Sequence, residues 1–194
     1  MLLGLMDQLG VDRAGIVGNS LGGRIAWNFA ALHPDRVSRL VLISPDGFAS
    51  PGFAYGKAPD IPLMMRALPY VAPRSMVKAN LAAAYARPEA LSELAVTRYR
   101  DMMLAPGVRN AILARTGQTI LRDPSPTLLS IQTPTLLLWG EMDAMIPITN
   151  AADYLRLMPD AALVRLPNAG HLPFEEDPVG SLPSVERFLS GEKW

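Results

Sequence analysis

Apolar residues at Leu2, Leu3, Leu5, Met6 and Leu9 recur at helical spacing, and Gly10 stands where a helix C-terminal glycine belongs. The short run Ala14 to Val17 reads as a buried strand, Gly18 begins a tight turn, and Gly22 to Leu32 resumes a helical pattern that His33, Pro34 and Asp35 stop. Val37 to Ile43, with Val41, Leu42 and Ile43 clustered, predicts a second buried strand. From Asp46 to about Asp123 the character changes. Glycine and proline come early, and then Ile61 to Leu68, Ser75 to Ala86, Pro88 to Leu104 and Pro106 to Leu121 look helical without a convincing strand. Thr135 to Trp139 resumes the buried-strand signature after Pro134. A helix from about Asn150 to Met158, a strand Ala162 to Leu166 and a closing helix Pro183 to Leu189 complete the pattern.

Strands alternating with helices predict an α/β fold with a parallel sheet. Residues 1–46 and 124–194 form its core, and 47–123 form a helical insertion expected to sit as a lid over the C-terminal edge of the sheet. The 194 residues leave room for a sizeable core. With 49% hydrophobic and 19% charged residues, the composition is that of a globular protein. Eighteen basic residues balance 18 acidic ones, so no basic field gathers phosphates, and neither nucleic acid nor an anionic membrane surface is the expected partner. A small-molecule substrate fits better. Absence of cysteine excludes a disulfide framework, a thiolate nucleophile and a cysteine metal site. MLLGLMDQLG lacks the basic start and small-residue cleavage site of a signal peptide, and no run approaches the roughly 18 to 20 apolar residues of a membrane span, so the expected location is cytoplasmic.

Gly18-Asn19-Ser20-Leu21-Gly22 matches GxSxG between a predicted strand and helix, the context in which that motif has mechanical meaning. A sharp turn there projects Ser20 from the sheet edge, and the N–H of Leu21, at the helix N-terminus, points where an oxyanion develops. A serine hydroxyl needs a base, and the sequence holds two histidines. His33 closes a helix, where a capping or solvated role explains it. His171, in Asn168-Ala169-Gly170-His171-Leu172-Pro173, follows the last predicted strand and falls on the same sheet edge as Ser20. Asp143, directly after Thr135 to Trp139, is the first choice to orient it, with Glu141 after the same strand and Asp46 after the second strand as competitors.

The GNSLGG, LHPDRVSRLVLISP, TPTLLLWGEMDAMIP and NAGHLPFEEDP segments, in that order, resemble the α/β-hydrolase superfamily. Within it the chain is similar to lidded serine esterases and to the serine-dependent C–C bond hydrolases that cleave ring-fission products of aromatic degradation. Leu172 stands where such C–C hydrolases often carry an aromatic residue. A serine at position 20 argues against the aspartate-dependent dehalogenases and epoxide hydrolases of similar architecture. The resemblance implies a triad of Ser20, Asp143 and His171 in the family's chain order, with Leu21 in the oxyanion hole and no cofactor or metal. It also implies several strands before the elbow and a His-Gly loop carrying a second oxyanion donor, and no histidine precedes Ser20. The expectation is therefore an N-terminally truncated sheet.

The first function expected is a serine hydrolase acting on a small, fairly apolar ester, lactone or related carbonyl compound. C–C bond hydrolysis is the alternative substrate class. A second reading is an impaired fragment that is non-catalytic or needs a partner chain, and an open sheet edge could serve a homodimer. Met64, Met65, Met102 and Met103 are expected to pack the helical block onto the core rather than line a pocket. Arg98, Tyr99, Arg100 and Asp101 read as a solvated helix face, and Arg24 as surface solvation.

Overall fold

The computed structural model describes residues 1–61 and 63–192, with the side chain of Met64 also outside the described residues. Four strands, β1 (Ala14–Asn19), β2 (Val37–Ile43), β3 (Thr135–Gly140) and β4 (Ala161–Leu166), lie side by side in that order. Every pairing is parallel. The register sets Gly18 beside Leu42, Ile43 beside Leu138 and Gly140 beside Leu166, so the C-terminal strand ends gather at one edge.

Alternation along the strands divides the core into two faces. Leu40, Leu42, Leu137 and Trp139 meet α2 (Leu21–Leu32) through Ala26, Trp27 and Ala30, and α7 (Asn150–Leu157) through Ala151 and Tyr154. On the opposite face Val41, Ile43, Leu136 and Leu138 pack with Phe188 of α9 (Pro178–Ser190). All six residues of β3 are buried, as a central parallel strand requires. Each of its buried leucines contributes about 1.5–3 kcal/mol. The remaining short helix on this framework, α1 (Leu2–Gln8), buries Met6.

Between β2 and β3 the described residues hold a 3₁₀ turn (Leu63–Ala67), α3 (Arg74–Ala84), a second 3₁₀ turn (Pro88–Ala90), α4 (Glu93–Leu104), α5 (Val108–Gln118) and α6 (Ser125–Leu129). The helices expected there are shorter and more broken than the apolar spacing implied. Pro88 to Leu104 is interrupted at Leu91 because Ser92 starts a new helix, accepting the N–H of Ala95 at 3.1 Å. Gly107, at φ 80, delays α5 to Val108. The closing helix begins at Pro178 instead of Pro183: Asp177 accepts the N–H of Gly180 at 2.9 Å, and Pro178 takes a first-turn position where proline suits a helix. Helix α8 (Pro173–Glu176), four residues long, was too short to show periodicity.

At the gathering edge, backbone meets backbone. A Cβ on Gly18 would strike the carbonyl of Gly22, and one on Gly23 would come within 2.7 Å of Pro45 Cβ. A Cβ on Gly140 would strike the carbonyl oxygens of Gly170 and Ala169. Gly140→Ala is therefore expected to cost about 3 kcal/mol in urea unfolding. Gly4→Ala, in a helix with nothing within 4 Å of the added carbon, should gain about 0.5–1 kcal/mol.

Candidate active site

Ser20 links the end of β1 to the start of α2 with φ 53 and ψ −119, a conformation rarely adopted by a residue with a side chain. Three backbone bonds hold it. Its N–H donates to Ile43 O at 2.9 Å, and its carbonyl accepts from Asp46 N at 2.9 Å and from Arg24 N at 3.1 Å. Leu21 is the first residue of α2, so its N–H has no acceptor within the helix.

The loops after β3 and β4 bring Asp143 and His171 together. Asp143 Oδ2 lies 2.8 Å from His171 Nδ1, and the two side chains are 0% and 5% exposed. Asp143 Oδ1 accepts the N–H groups of Met145 at 2.8 Å and Ile146 at 2.9 Å, which fix the carboxylate's plane. A carboxylate accepting at Nδ1 places the imidazole proton there and leaves Nε2 as the basic nitrogen. Ser20, Leu21 and His171 line one cavity of about 320 Å³, whose wall also includes Phe53, Met145 and Arg115. A more apolar groove of about 390 Å³, against Val17, Ile43 and Leu138, contains neither Ser20 nor His171.

The competing acids have other partners. Asp46 pairs with Arg24 at 3.6 Å, and its carbonyl accepts from Trp27 Nε1 at 3.0 Å and from the Tyr154 hydroxyl at 3.1 Å. Glu141 pairs with Arg165 at 2.7 Å. Arg24 does more than solvate a surface, since it ties the turn after β2 to the helix behind Ser20. His33 packs its ring 5.0 Å from that of Phe29 at the end of α2. Of the methionines expected to pack, Met103 joins the cluster formed by α3 and α4, whereas Met102 is 52% exposed.

Three residues that apolar spacing does not reveal tie the chain around Ser20 and the segment after β4 to their surroundings. Asn19 Nδ2 donates to the carbonyls of Ile43 and His171, both at 3.1 Å. Glu176 accepts from Gly170 N at 2.9 Å and from Ala86 N at 2.7 Å. Glu175 accepts from the Tyr85 hydroxyl at 2.8 Å, the Tyr99 hydroxyl at 2.9 Å and Arg98 Nη2 at 2.9 Å. Arg98 and Tyr99 are thus anchoring groups rather than a merely solvated face. Burial first and the Glu175 carboxylate second push the Tyr99 phenol up to about 12 and raise that of Tyr85 further. The two consecutive glutamates before Asp177-Pro178 were the available signal, but their targets lie far away in sequence.

A family model described as alpha/beta hydrolase fold matches residues 1–178. The chain is 31% identical over 172 residues to the 2-hydroxy-6-oxo-6-phenylhexa-2,4-dienoate hydrolase of Burkholderia cepacia, covering 87% of this chain and 59% of that protein. It is 29% identical to the 2-hydroxymuconate semialdehyde hydrolase of Pseudomonas putida over 200 residues, covering 97% and 66%. The chain thus spans about 59% of the length of the first of these relatives. Among solved structures, a serine hydrolase from the polyaromatic hydrocarbon-degrading bacterium Cycloclasticus zankles superposes with a TM-score of 0.78 at 22% identity, covering 98% of this chain and 68% of that one. Agreement at that identity is agreement of fold. No helix among the described residues is long and apolar enough to cross a membrane.

Two outcomes follow from this geometry. Ser20→Gly relieves the strained turn and should be about 1 kcal/mol more stable than Ser20→Ala in urea unfolding. Because the phenols are raised in the folded state, their stabilisation is present below pH 10 and is lost as pH rises from 10 through about 12. The unfolding temperature of a Tyr85→Phe/Tyr99→Phe variant should accordingly fall less across that window than that of the unsubstituted protein; parallel curves would contradict the assignment.

Proposed function

We propose, since the chain belongs to the alpha/beta hydrolase fold family, that it is a serine hydrolase whose nucleophile is Ser20, whose general base is His171 and whose orienting acid is Asp143. The observation that carries this reading is the buried 2.8 Å bond between Asp143 and His171 Nδ1 beside a cavity that Ser20 also lines.

In the proposed reaction Ser20 Oγ attacks a substrate carbonyl carbon while His171 Nε2 takes the hydroxyl proton. Asp143 remains ionised and stabilises the imidazolium. The negative charge developing on the carbonyl oxygen is held by the N–H of Leu21, aided by the positive end of α2. Collapse of the tetrahedral species expels the leaving group, which receives the proton from His171, and leaves an acyl group on Ser20. Water, deprotonated by His171, then attacks the acyl carbon. The second tetrahedral species collapses as His171 returns the proton to Ser20 Oγ, which regenerates the serine and releases a carboxylic acid.

The helices of segment 47–123 act as a lid in this reading, and Phe53, Arg115 and Met145 contact the substrate. A small ester, lactone or related carbonyl compound suits the mainly apolar wall. C–C bond hydrolysis is the second reading, favoured by relatives such as the Burkholderia and Pseudomonas hydrolases. The same acyl chemistry serves both, with a carbanion equivalent in place of an alkoxide as the leaving group.

Steady-state hydrolysis of p-nitrophenyl butyrate provides the test. The protein should turn the ester over, Ser20→Ala should abolish that turnover, and Asp143→Asn should lower kcat by about 10⁴-fold by supporting the wrong imidazole tautomer. Turnover surviving Ser20→Ala would refute the assignment of the nucleophile. No ester turnover, together with Ser20-dependent cleavage of a vinylogous 1,5-diketone, would select the C–C reading.

A further inference from the structure

His171 is fixed by more than its bond to Asp143. Its backbone N–H donates to the carbonyl of Ala84, at the end of α3, at 2.8 Å, and its carbonyl accepts from Asn19 at 3.1 Å. The two residues flanking it both donate to one oxygen of Glu176: Gly170 N to Oε1 at 2.9 Å and Leu172 N to Oε1 at 3.3 Å. The other oxygen, Oε2, accepts from Ala86 N at 2.7 Å. One carboxylate therefore spans the residues before and after the histidine and ties both to the chain leaving α3.

We infer that Glu176 is a positioning residue for His171. Charge-assisted bonds of this kind are stronger than neutral ones, and here they converge on peptide groups one residue either side of the imidazole. Space reinforces them. A Cβ on Gly170 would come within 2.6 Å of Ala86 N and 2.7 Å of Ala84 O, so the loop already rests backbone to backbone on the end of α3. Leu172 adds its side chain to the apolar cluster of Val77, Leu81 and Val96. Loss of the Glu176 carboxylate leaves the Gly170, Leu172 and Ala86 N–H groups without this acceptor and frees the segment carrying His171 to shift relative to Asp143. A displacement of about 1 Å suffices for a 10²-fold loss of rate. Neighbouring Glu175 points elsewhere, to Tyr85, Tyr99 and Arg98, and provides a comparison within the same short helix.

The inference rests on the reading of His171 as general base, so its test includes a measurement independent of turnover. In proton NMR, the Nδ1 proton shared with Asp143 gives a low-field resonance, identified by its absence from His171→Gln. In Glu176→Gln, whose amide nitrogen faces either the Ala86 N–H or those of Gly170 and Leu172, that resonance should broaden or disappear. For p-nitrophenyl butyrate, kcat should fall by about 10- to 100-fold with KM within about twofold. Glu175→Gln should keep the resonance. If Glu176→Gln does not fold, Glu176→Asp, too short to span both sides of the histidine, should show the same loss. An intact resonance in a folded Glu176 variant overturns the inference, as does equal loss in Glu175→Gln. If the unsubstituted protein turns over neither the ester nor a vinylogous 1,5-diketone yet the resonance responds as stated, positioning stands and the function proposed above fails.

Discussion

Backbone contact at the C-terminal ends of β3 and β4 is the constraint on which the site depends. Gly140 ends β3 with no room for a side chain, because the carbonyls of Ala169 and Gly170 occupy the place of a Cβ. Gly170 in turn abuts the chain around Ala84 and Ala86. Two glycines thus let three segments, far apart in sequence, touch through their main chains. Asp143 lies three residues beyond the first glycine and His171 one beyond the second. Their 2.8 Å bond is a short extension of that contact. A similar crowding at Gly18 and Gly23 brings β1, α2 and the turn at Pro45 together and sets Ser20 in its strained turn. The polar groups at this edge are therefore set on closely packed backbone, which the Glu176 carboxylate braces on either side of His171.

The electrostatics follow the same plan. Asp143 is buried, yet its two oxygens accept two backbone N–H groups and one imidazole nitrogen, so its charge is solvated by the fold. Behind Ser20, Asp46 and Arg24 neutralise each other, and the Asp46 main chain ties Ser20, Trp27 and Tyr154 into one hydrogen-bonded group. Glu175 and Glu176 divide the task of joining the helical segment to the core, the first through phenols and a guanidinium, the second through peptide groups. A negative charge sits at each junction, and each is met by directed donors.

Much of this was legible in the sequence where the signal is local. Ser20 stands out because glycines two residues either side and a strand-to-helix transition all lie within a dozen positions. Asp143 and His171 could be placed because each closely follows an apolar run that reads as a strand, although only Leu166 of β4 is buried, and parallel strands deliver their ends to one edge. What escaped was relational. Asn19 bonds His171 across 152 positions, and Glu175 bonds Tyr85 across 90, separations that no periodicity encodes. Apolar spacing marks the segment as helical but not its breaks, because Ser92 and Gly107 act through a single hydrogen bond and a dihedral angle. Arg98 and Tyr99 looked like a wet surface because their anchor, Glu175, lies on an element too short to declare itself.

In the proposed reaction the fold makes Ser20 nucleophilic through His171. Reaction of the intact protein with a fluorophosphonate, followed by peptide mass spectrometry, tests it most directly. A single adduct on Ser20 is expected, formed at a second-order rate that falls by about 10³-fold or more in His171→Gln. An adduct on another serine, or labelling of Ser20 at an unchanged rate in folded His171→Gln, would contradict it.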